Sequence, residues 1–282
     1  MPIGGGLPVW YEDEMKDSVE WKAAWAERAR EEAPDFNLDR GFSKRREDIE
    51  RLSERELIEF IDPHSSETVL DAGCGTGVNI SRLCGSVKRI IGVDYTAGSI
   101  ERCRKRIEAQ NIQNAELRIG SIVDTSLRSG SVDKVICLSV LQYLDDEEVR
   151  RTFQEFARML VPGGVVILHV KNRSSLYWWT LLAAKKVKAM LGKATDTYKV
   201  RPFEWYLCEL RAAGFKIDDF NGFNLLTIDQ MPKWLSSWLQ KVELRHYRGW
   251  LLRNAVIRRH MSDLKIKASV AANSVHLTSV EP

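Results

Sequence analysis

The chain has 282 residues, of which 44% are hydrophobic and 29% charged, with a formal net charge of +3 at pH 7. This composition predicts a globular protein with a sizeable core, in one large domain or two small ones. No run of about 18 apolar residues is present and the N-terminus lacks a signal-peptide pattern, so we expect a cytoplasmic protein that neither spans a membrane nor is secreted. The five cysteines have no CxxC spacing, which argues against a zinc cluster or a disulfide framework.

The first predicted element is a helix over residues 13–33, in a region that is acidic from residue 11 to residue 62. Trp21 and Trp25 fall on one face of this helix, four positions apart. Such a helix is either a lid over a ligand or an element that packs on the edge of a sheet. We therefore divide the chain into an N-terminal helical extension, residues 1–62, and a main domain, residues 63–282.

Strand and helix patterns alternate from Glu67 to about Phe223, which predicts a parallel sheet covered on both faces. The first five predicted strands are Thr68–Gly73, Arg89–Asp94, Ala115–Gly120, Val132–Val140 and Gly164–Val170. Between them, two helices carry apolar faces, formed by Ile100, Cys103 and Ile107 and by Val149, Phe153, Phe156, Ala157 and Leu160. The motif Val161–Gly164, with its Pro and Gly, is expected to separate the second helix from the fifth strand.

Two more strands complete a sheet of about seven. A helix over Phe203–Ala213, with Phe203, Leu207 and Leu210 on one face, leads to a sixth strand near Phe215–Phe223. The segment Asp263–Val270 is predicted as the last strand, antiparallel to the others. The fold class is therefore α/β, a Rossmann-like doubly wound sheet that is mostly parallel.

The stretch "VLDAGCGTG", Val69–Gly77, places three alternate glycines directly after the first strand. Glycines adopt positive φ and carry no Cβ, so the backbone can turn sharply and let a ligand lie against it. In an open parallel sheet this position lies in the crevice at the carboxyl ends of the strands. Asp94 ends the second strand, where an acidic side chain accepts hydrogen bonds from ribose hydroxyls. The ligand is therefore expected to contain a nucleoside.

The motifs "VLDAGCGTG", "GVD", "VDKVICLSVLQYL" and "ARMLVPGGVVIL", in this order, resemble those of class I S-adenosylmethionine-dependent methyltransferases, and are most similar to the small-molecule branch called type 11. The resemblance covers residues 65–222 and implies S-adenosylmethionine as cofactor. The cofactor-binding residues that it implies are Asp71, Gly73 and Gly75 for the aminocarboxypropyl end, Gly77 in the same turn, Asp94 for the ribose, Tyr95, Ser121 and Ile122 for the adenine, and Leu138 and Ser139 for the methyl side.

The candidate catalytic residues are Tyr143 and His169. Relatives often carry a histidine after the fourth strand, where this chain has Gln142 and Tyr143, so a mechanism that needs that histidine is in doubt. His169, at the end of the fifth strand, is a general base if the acceptor is a hydroxyl, and otherwise a packed strand histidine. The sequence contains no metal-ligand cluster, so we expect no metal.

Two insertions, residues 171–200 and 224–262, are expected to form the acceptor side. Both are basic and rich in tryptophan, and Trp234 and Trp238 lie on one face of a predicted helix. This pattern fits either peripheral contact with a membrane or packing within the domain. The predicted acceptor is a small or amphipathic molecule, such as a quinone or polyketide precursor, a sugar or a lipid-linked glycan, methylated at oxygen or nitrogen.

Two other functions stay open. Methylation of nucleic acid is favoured by the basic segments, but "LSVLQY" stands where such enzymes carry an NPPY-type motif. A protein that binds the cofactor without turnover and serves as a regulatory partner would keep the same glycine turn.

Overall fold

The computed structural model of the chain describes residues 18–30, 55, 57–175, 178, 199–223, 261 and 263–270. Its helices are α1 (Ser18–Arg30), α2 (Val78–Leu83), α3 (Ala97–Ala109), α4 (Asp146–Met159) and α5 (Phe203–Ala212). Its strands are β1 (Thr68–Ala72), β2 (Arg89–Asp94), β3 (Ala115–Ile119), β4 (Val132–Leu138), β5 (Leu160–Lys171), β6 (Phe215–Phe223) and β7 (Asp263–Val270). No helix within these ranges has the length and apolarity needed to cross a bilayer.

The seven strands form one sheet in the order β3-β2-β1-β4-β5-β7-β6. Strands β1 to β5 pair in parallel, and β7 lies between β5 and β6, antiparallel to both. The predicted doubly wound sheet and its antiparallel last strand are therefore confirmed. The order reverses between β1 and β4, so the crevice for a ligand opens at their carboxyl ends, beyond Ala72 and Leu138.

The expectation that Val161–Gly164 separates a helix from a strand is wrong. Helix α4 ends at Met159 and β5 begins at the next residue. Leu160 pairs with Val132 and Val165 pairs with Lys134, so the residues between them bulge within the strand. Gly163 has a φ of 77°, and the Pro-Gly motif therefore makes a bulge rather than a boundary.

Both faces of the sheet are covered, and the predicted helical faces are the buried ones. On one face, α4 buries Val149, Phe153 and Phe156, and α5 buries Phe203, Leu207 and Leu210. On the other face, Ile100 and Cys103 of α3 pack with Ile80 of α2. Ile61, which we assigned to the N-terminal extension, also belongs to this second cluster. The division of the chain at residue 62 stays a prediction.

Arg201 fixes the loop that follows β4. Its buried guanidinium donates from Nη1 to the carbonyl of Leu141 at 2.9 Å and from Nη2 to the carbonyl of Leu144 at 2.7 Å. Its Nε donates to Asp146 Oδ1 at 2.9 Å. The backbone nitrogen of Lys199 donates to the carbonyl of Gln142 in the same loop. These bonds determine the position of Tyr143 and of the backbone beside the crevice.

We expect Arg201→Met to lower the free energy of unfolding by about 2–4 kcal/mol, because two interior carbonyls lose charged donors. Urea unfolding measures this change. Arg211→Met, at an exposed position in the same part of the chain, is the control and should be nearly neutral. Equal stability of the two variants would show that Arg201 does not hold the loop.

Candidate functional site

The glycine turn between β1 and α2 has the predicted backbone. Gly73, Gly75 and Gly77 have φ angles of 80°, 53° and 81°. A Cβ on Gly73 would lie 2.4 Å from Val140 Cγ2, and one on Gly77 would lie 2.3 Å from Cys103 Sγ. Because these distances are too short for a side chain, close packing requires glycine at both positions. A Cβ on Gly75 would meet no atom of the described residues within 4 Å. Gly75 is therefore the position where the turn faces open space.

Asp94 connects this turn to the next loop. Its Oδ2 accepts a hydrogen bond from the backbone nitrogen of Gly75 at 3.0 Å, and its Oδ1 accepts one from that of Thr96 at 2.8 Å. Burial raises the pKa of Asp94, and these two backbone donors oppose the rise. Each oxygen keeps a lone pair for a further donor. The sequence did not predict that Asp94 would accept hydrogen bonds from these two backbone nitrogens. Its contact with a ribose stays a prediction.

Asp71, at the carboxyl end of β1, is a buried carboxylate whose oxygens have no hydrogen-bond partner among the described residues. Burial raises its pKa to about 7. Asn79 opposes this rise only in part, since it makes no hydrogen bond of normal geometry to either oxygen. Buried polar atoms are nearly always hydrogen-bonded. A ligand that brings an ammonium group or another donor would satisfy this carboxylate.

The residues predicted to contact an adenine differ in exposure. Tyr95, directly after β2, is 39% exposed. Ser121 is exposed, and its Oγ accepts a hydrogen bond from the backbone nitrogen of Val123 at 3.2 Å. Ile122 is buried in the core cluster that contains Leu141. The adenine contacts of these three residues stay predictions.

Helix α1 packs across the carboxyl edge of the sheet. The rings of Trp21 and Trp25 meet the ring of Tyr143 edge-on, with centroids 4.9 and 5.4 Å apart, so the two tryptophans share the predicted face. Lys22 Nζ contacts Glu148 Oε1 at 2.9 Å, and α1 also contacts α3. Tyr143, predicted as catalytic, thus holds α1 on the loop after β4, and its catalytic role stays a prediction.

His169 lies between two polar side chains. Its Nδ1 is 2.7 Å from Ser139 Oγ, and its Nε2 is 3.2 Å from Asp263 Oδ1. Lys171 Nζ also contacts Asp263 Oδ1. The structure therefore brings together the predicted residues Ser139 and His169, while Leu138 lies half-buried at the end of β4. Asp263 was not predicted as a site residue; the pairing of β5 with β7 places it opposite Lys171.

Electrostatics determine the protonation of this cluster. Burial alone would raise the pKa of Asp263, but the Lys171 ammonium and the hydrogen bond from His169 outweigh it and hold that pKa well below its usual range. Burial lowers the pKa of His169, although Asp263 opposes the change. At neutral pH the cluster therefore contains an ionised Asp263 and a neutral imidazole.

Most of the two predicted insertions lies outside the described residues. Trp234 and Trp238, with the helix predicted around them, belong to that part. Peripheral contact of this surface with a membrane accordingly stays a prediction.

Comparisons with known proteins agree with the motifs. The model of a family described as a methyltransferase domain matches residues 69–164. A ubiquinone biosynthesis O-methyltransferase of Acinetobacter baylyi is 26% identical over 180 residues, which cover 60% of this chain and 74% of that protein. An uncharacterized 37.1 kDa protein in transposon Tn4556 of Streptomyces fradiae is 30% identical over 132 residues. These residues cover 46% of this chain but only 37% of that relative.

Solved structures show the same fold. The geranyl diphosphate C-methyltransferase of Streptomyces coelicolor, in complex with S-adenosyl-L-homocysteine, superposes with a TM-score of 0.54 at 18% identity, covering 78% of this chain and 79% of that one. Over the matched residues, the comparisons support the S-adenosylmethionine-dependent methyltransferase domain that the motifs predicted, and with it that cofactor.

The burial of Asp71 leads to a test. We expect Asp71→Asn to stabilise the cofactor-free protein above pH 7, by as much as about 2–4 kcal/mol, because the charge of the buried carboxylate is removed. The sign follows from the raised pKa: the folded state binds the extra proton, so wild-type stability falls as the pH rises from about 4 to about 7.

The same variant should bind S-adenosylmethionine at least tenfold more weakly, because an ammonium group would lose its carboxylate. Chemical unfolding at pH 5.5 and 8 and titration calorimetry measure the two effects. A variant that is less stable than the wild type at pH 8, or that binds the cofactor equally well, would contradict this account of Asp71.

Proposed function

We propose that this class I S-adenosylmethionine-dependent methyltransferase methylates an oxygen of a small or amphipathic acceptor, in first place a phenolic or quinol hydroxyl. The observation that carries the proposal is the opening of the glycine turn at Gly75 between two acidic side chains. Asp71 has no hydrogen-bond partner among the described residues, and Asp94 keeps lone pairs beside the same turn. A ligand with a nucleoside and an amino-acid tail fits this arrangement.

Different residues of the site would bind different parts of the cofactor. Asp71 and the backbone at Gly73 and Gly75 would hold the aminocarboxypropyl end, and Asp94 the ribose. Tyr95, Ser121 and Ile122 would border the adenine. When bound, S-adenosylmethionine supplies a methyl group on a positively charged sulfur, which departs as a neutral thioether.

The remaining task of the protein is to align an acceptor with the methyl group and to exclude water. Helix α1, which contacts Tyr143 through Trp21 and Trp25, would serve as a lid that excludes water from the crevice. Leu138 and Ser139 end β4 beside the glycine turn and would line the methyl side. His169 is the candidate general base, and both of its ring nitrogens lie within hydrogen-bonding distance of a polar side chain.

Two observations favour an oxygen acceptor over the other candidates. A hydroxyl must lose its proton on methylation, and a neutral imidazole at the end of β5 can accept one. The relative from Acinetobacter baylyi is named as an O-methyltransferase of ubiquinone biosynthesis. A cytoplasmic location and a biosynthetic role belong to the same proposal.

The acceptor class can be tested with methyl-labelled S-adenosylmethionine and three probes: a catechol carrying an isoprenoid chain, geranyl diphosphate, and duplex DNA. We expect label in the catechol. Label only in DNA would overturn the proposal in favour of nucleic-acid methylation, and label only in geranyl diphosphate in favour of a carbon acceptor. Cofactor binding without transfer to any probe or to fractionated cell extract would favour a regulatory protein.

A second test concerns the ribose contact and the turn together. We expect Asp94→Asn to weaken S-adenosylmethionine binding by about 10- to 100-fold, because charge-assisted bonds to the ribose and to Gly75 are lost. Titration calorimetry measures the affinity. Asp133→Asn is the matched control, since that carboxylate also accepts a backbone hydrogen bond, from Thr68 at the opposite edge of the sheet. Equal binding by a folded Asp94→Asn protein would refute the assignment.

A further inference from the structure

We infer that Ser139 is the residue that takes the proton from the acceptor hydroxyl, and that Asp263 is a positioning residue that orients His169 to receive the proton from Ser139. This inference rests on the proposed function and deepens it. His169 would then act through Ser139 rather than on the acceptor directly.

The first argument is the position of Ser139. It follows β4 directly, and its neighbour Val140 packs so closely on the glycine turn that a Cβ on Gly73 would collide with it. Ser139 and His169 are both half-buried. Ser139, which adjoins the glycine turn through Val140, is therefore the end of the pair nearer to the cofactor crevice.

The second argument is the way in which Ser139 is held. Its backbone nitrogen donates to the carbonyl of His169 at 3.1 Å, while its Oγ lies 2.7 Å from Nδ1 of the same residue. Its φ is 61°, in the left-handed region that few residues other than glycine adopt. Such strain persists only where the surroundings impose it, and it concentrates at functional sites. Here the strained backbone aims the hydroxyl at the imidazole.

The ionised Asp263 determines the direction of the hydrogen bonds in this cluster. An ionised carboxylate only accepts, so the contact between Asp263 and His169 requires the hydrogen to be on Nε2. In a neutral imidazole Nδ1 then carries the lone pair and accepts the bond from the Ser139 hydroxyl. Among the described residues, the charged groups that face this imidazole are Asp263 and Lys265 on β7 and Lys171 on β5. Asp263 thus determines which nitrogen faces Ser139.

The resulting step balances. The acceptor hydroxyl would give its proton to Ser139 Oγ as the Ser139 proton passes to Nδ1. An electron pair of the acceptor oxygen would form the new bond to the methyl carbon, while the carbon–sulfur bond breaks and its electron pair stays on sulfur. The positive charge that was on the cofactor sulfur is then on the imidazolium, next to the Asp263 carboxylate. Buffer removes the extra proton after the product leaves. No oxidant or further reactant is needed.

The test for Ser139 uses a substitution that the backbone favours. Ser139→Gly removes the hydroxyl and relieves the positive φ, so its melting temperature should not fall. We expect kcat on the isoprenoid catechol to fall about 100-fold, with S-adenosylmethionine affinity within about threefold of wild type. Ser126→Gly is the matched control, a serine with a φ of 56° in an exposed loop, and should retain wild-type kcat. Wild-type kcat in Ser139→Gly would overturn the inference.

The test for Asp263 does not depend on turnover. In protein labelled with ¹⁵N-histidine, long-range ¹H–¹⁵N spectra identify the tautomer of each of the five histidines, and the His169→Gln spectrum assigns the signal. We expect a neutral Nε2–H tautomer in the wild type and a mixture in Asp263→Asn. A wild-type Nδ1–H tautomer would overturn the inference even if every kinetic result agreed with it.

The pH profile separates positioning from folding. Because burial lowers the pKa of His169, wild-type kcat should rise with pH below 6.5 and be constant above it. In Asp263→Asn this rise should move to lower pH, since the lost carboxylate had raised that pKa, and the plateau should fall. Asp218→Asn, on the exposed side of β6, is the control. An unchanged profile and plateau in Asp263→Asn would contradict a positioning role.

Failure of the inference and failure of the proposed function are distinguishable. If the wild type transfers methyl to neither the catechol nor any other hydroxyl, the proposed function fails, while the tautomer of His169 still reports on the hydrogen-bond direction. If the wild type methylates the catechol and Ser139→Gly does so equally well, only the inference fails.

Discussion

The hydrogen bond from the backbone of Gly75 to Asp94 is the contact on which the site depends. It ties the glycine turn, which follows β1, to the loop that follows β2, so the two central strands present one continuous backbone edge to a ligand. The same contact keeps a carboxylate buried close to Asp71, and the charge of Asp94 contributes to the raised pKa of Asp71. The burial of Asp71 is the main cause of its raised pKa, and the carboxylate that holds the turn adds to that effect.

The loop after β4 connects the cofactor side with the acceptor side. Arg201 fixes its carbonyls, Tyr143 supports α1, and Val140 packs on the glycine turn. The Ser139 hydroxyl, at the start of this loop, forms a hydrogen bond with the His169 imidazole on β5. A change in any of these contacts would therefore move α1, the glycine turn and Ser139 together. Methyl transfer depends mainly on precise alignment of the methyl donor with the acceptor. One loop that contacts both sides of the crevice would maintain this alignment.

The sequence was sufficient where local periodicity determines structure. Arg89–Asp94, Phe215–Phe223 and Asp263–Val270 are strands with the predicted bounds. Prediction failed where the outcome depends on pairing between distant segments. The Pro-Gly motif became a bulge because β4 pairs on both sides of it. Asp263 reaches His169 across 94 positions, through a register between β5 and β7 that no local pattern specifies.

In the proposed reaction, the proton acceptor needs a carboxylate beside it. Methyl transfer from a sulfonium would remove a positive charge from the side of Asp71 and Asp94, and deprotonation of the acceptor would place one on His169. Lys171 and Lys265 disfavour a cation there, and burial disfavours it further. Asp263 is the carboxylate that opposes both effects. Under the proposed mechanism, its place on the antiparallel strand β7, between β5 and β6, would make the last strand of the fold part of the acceptor side.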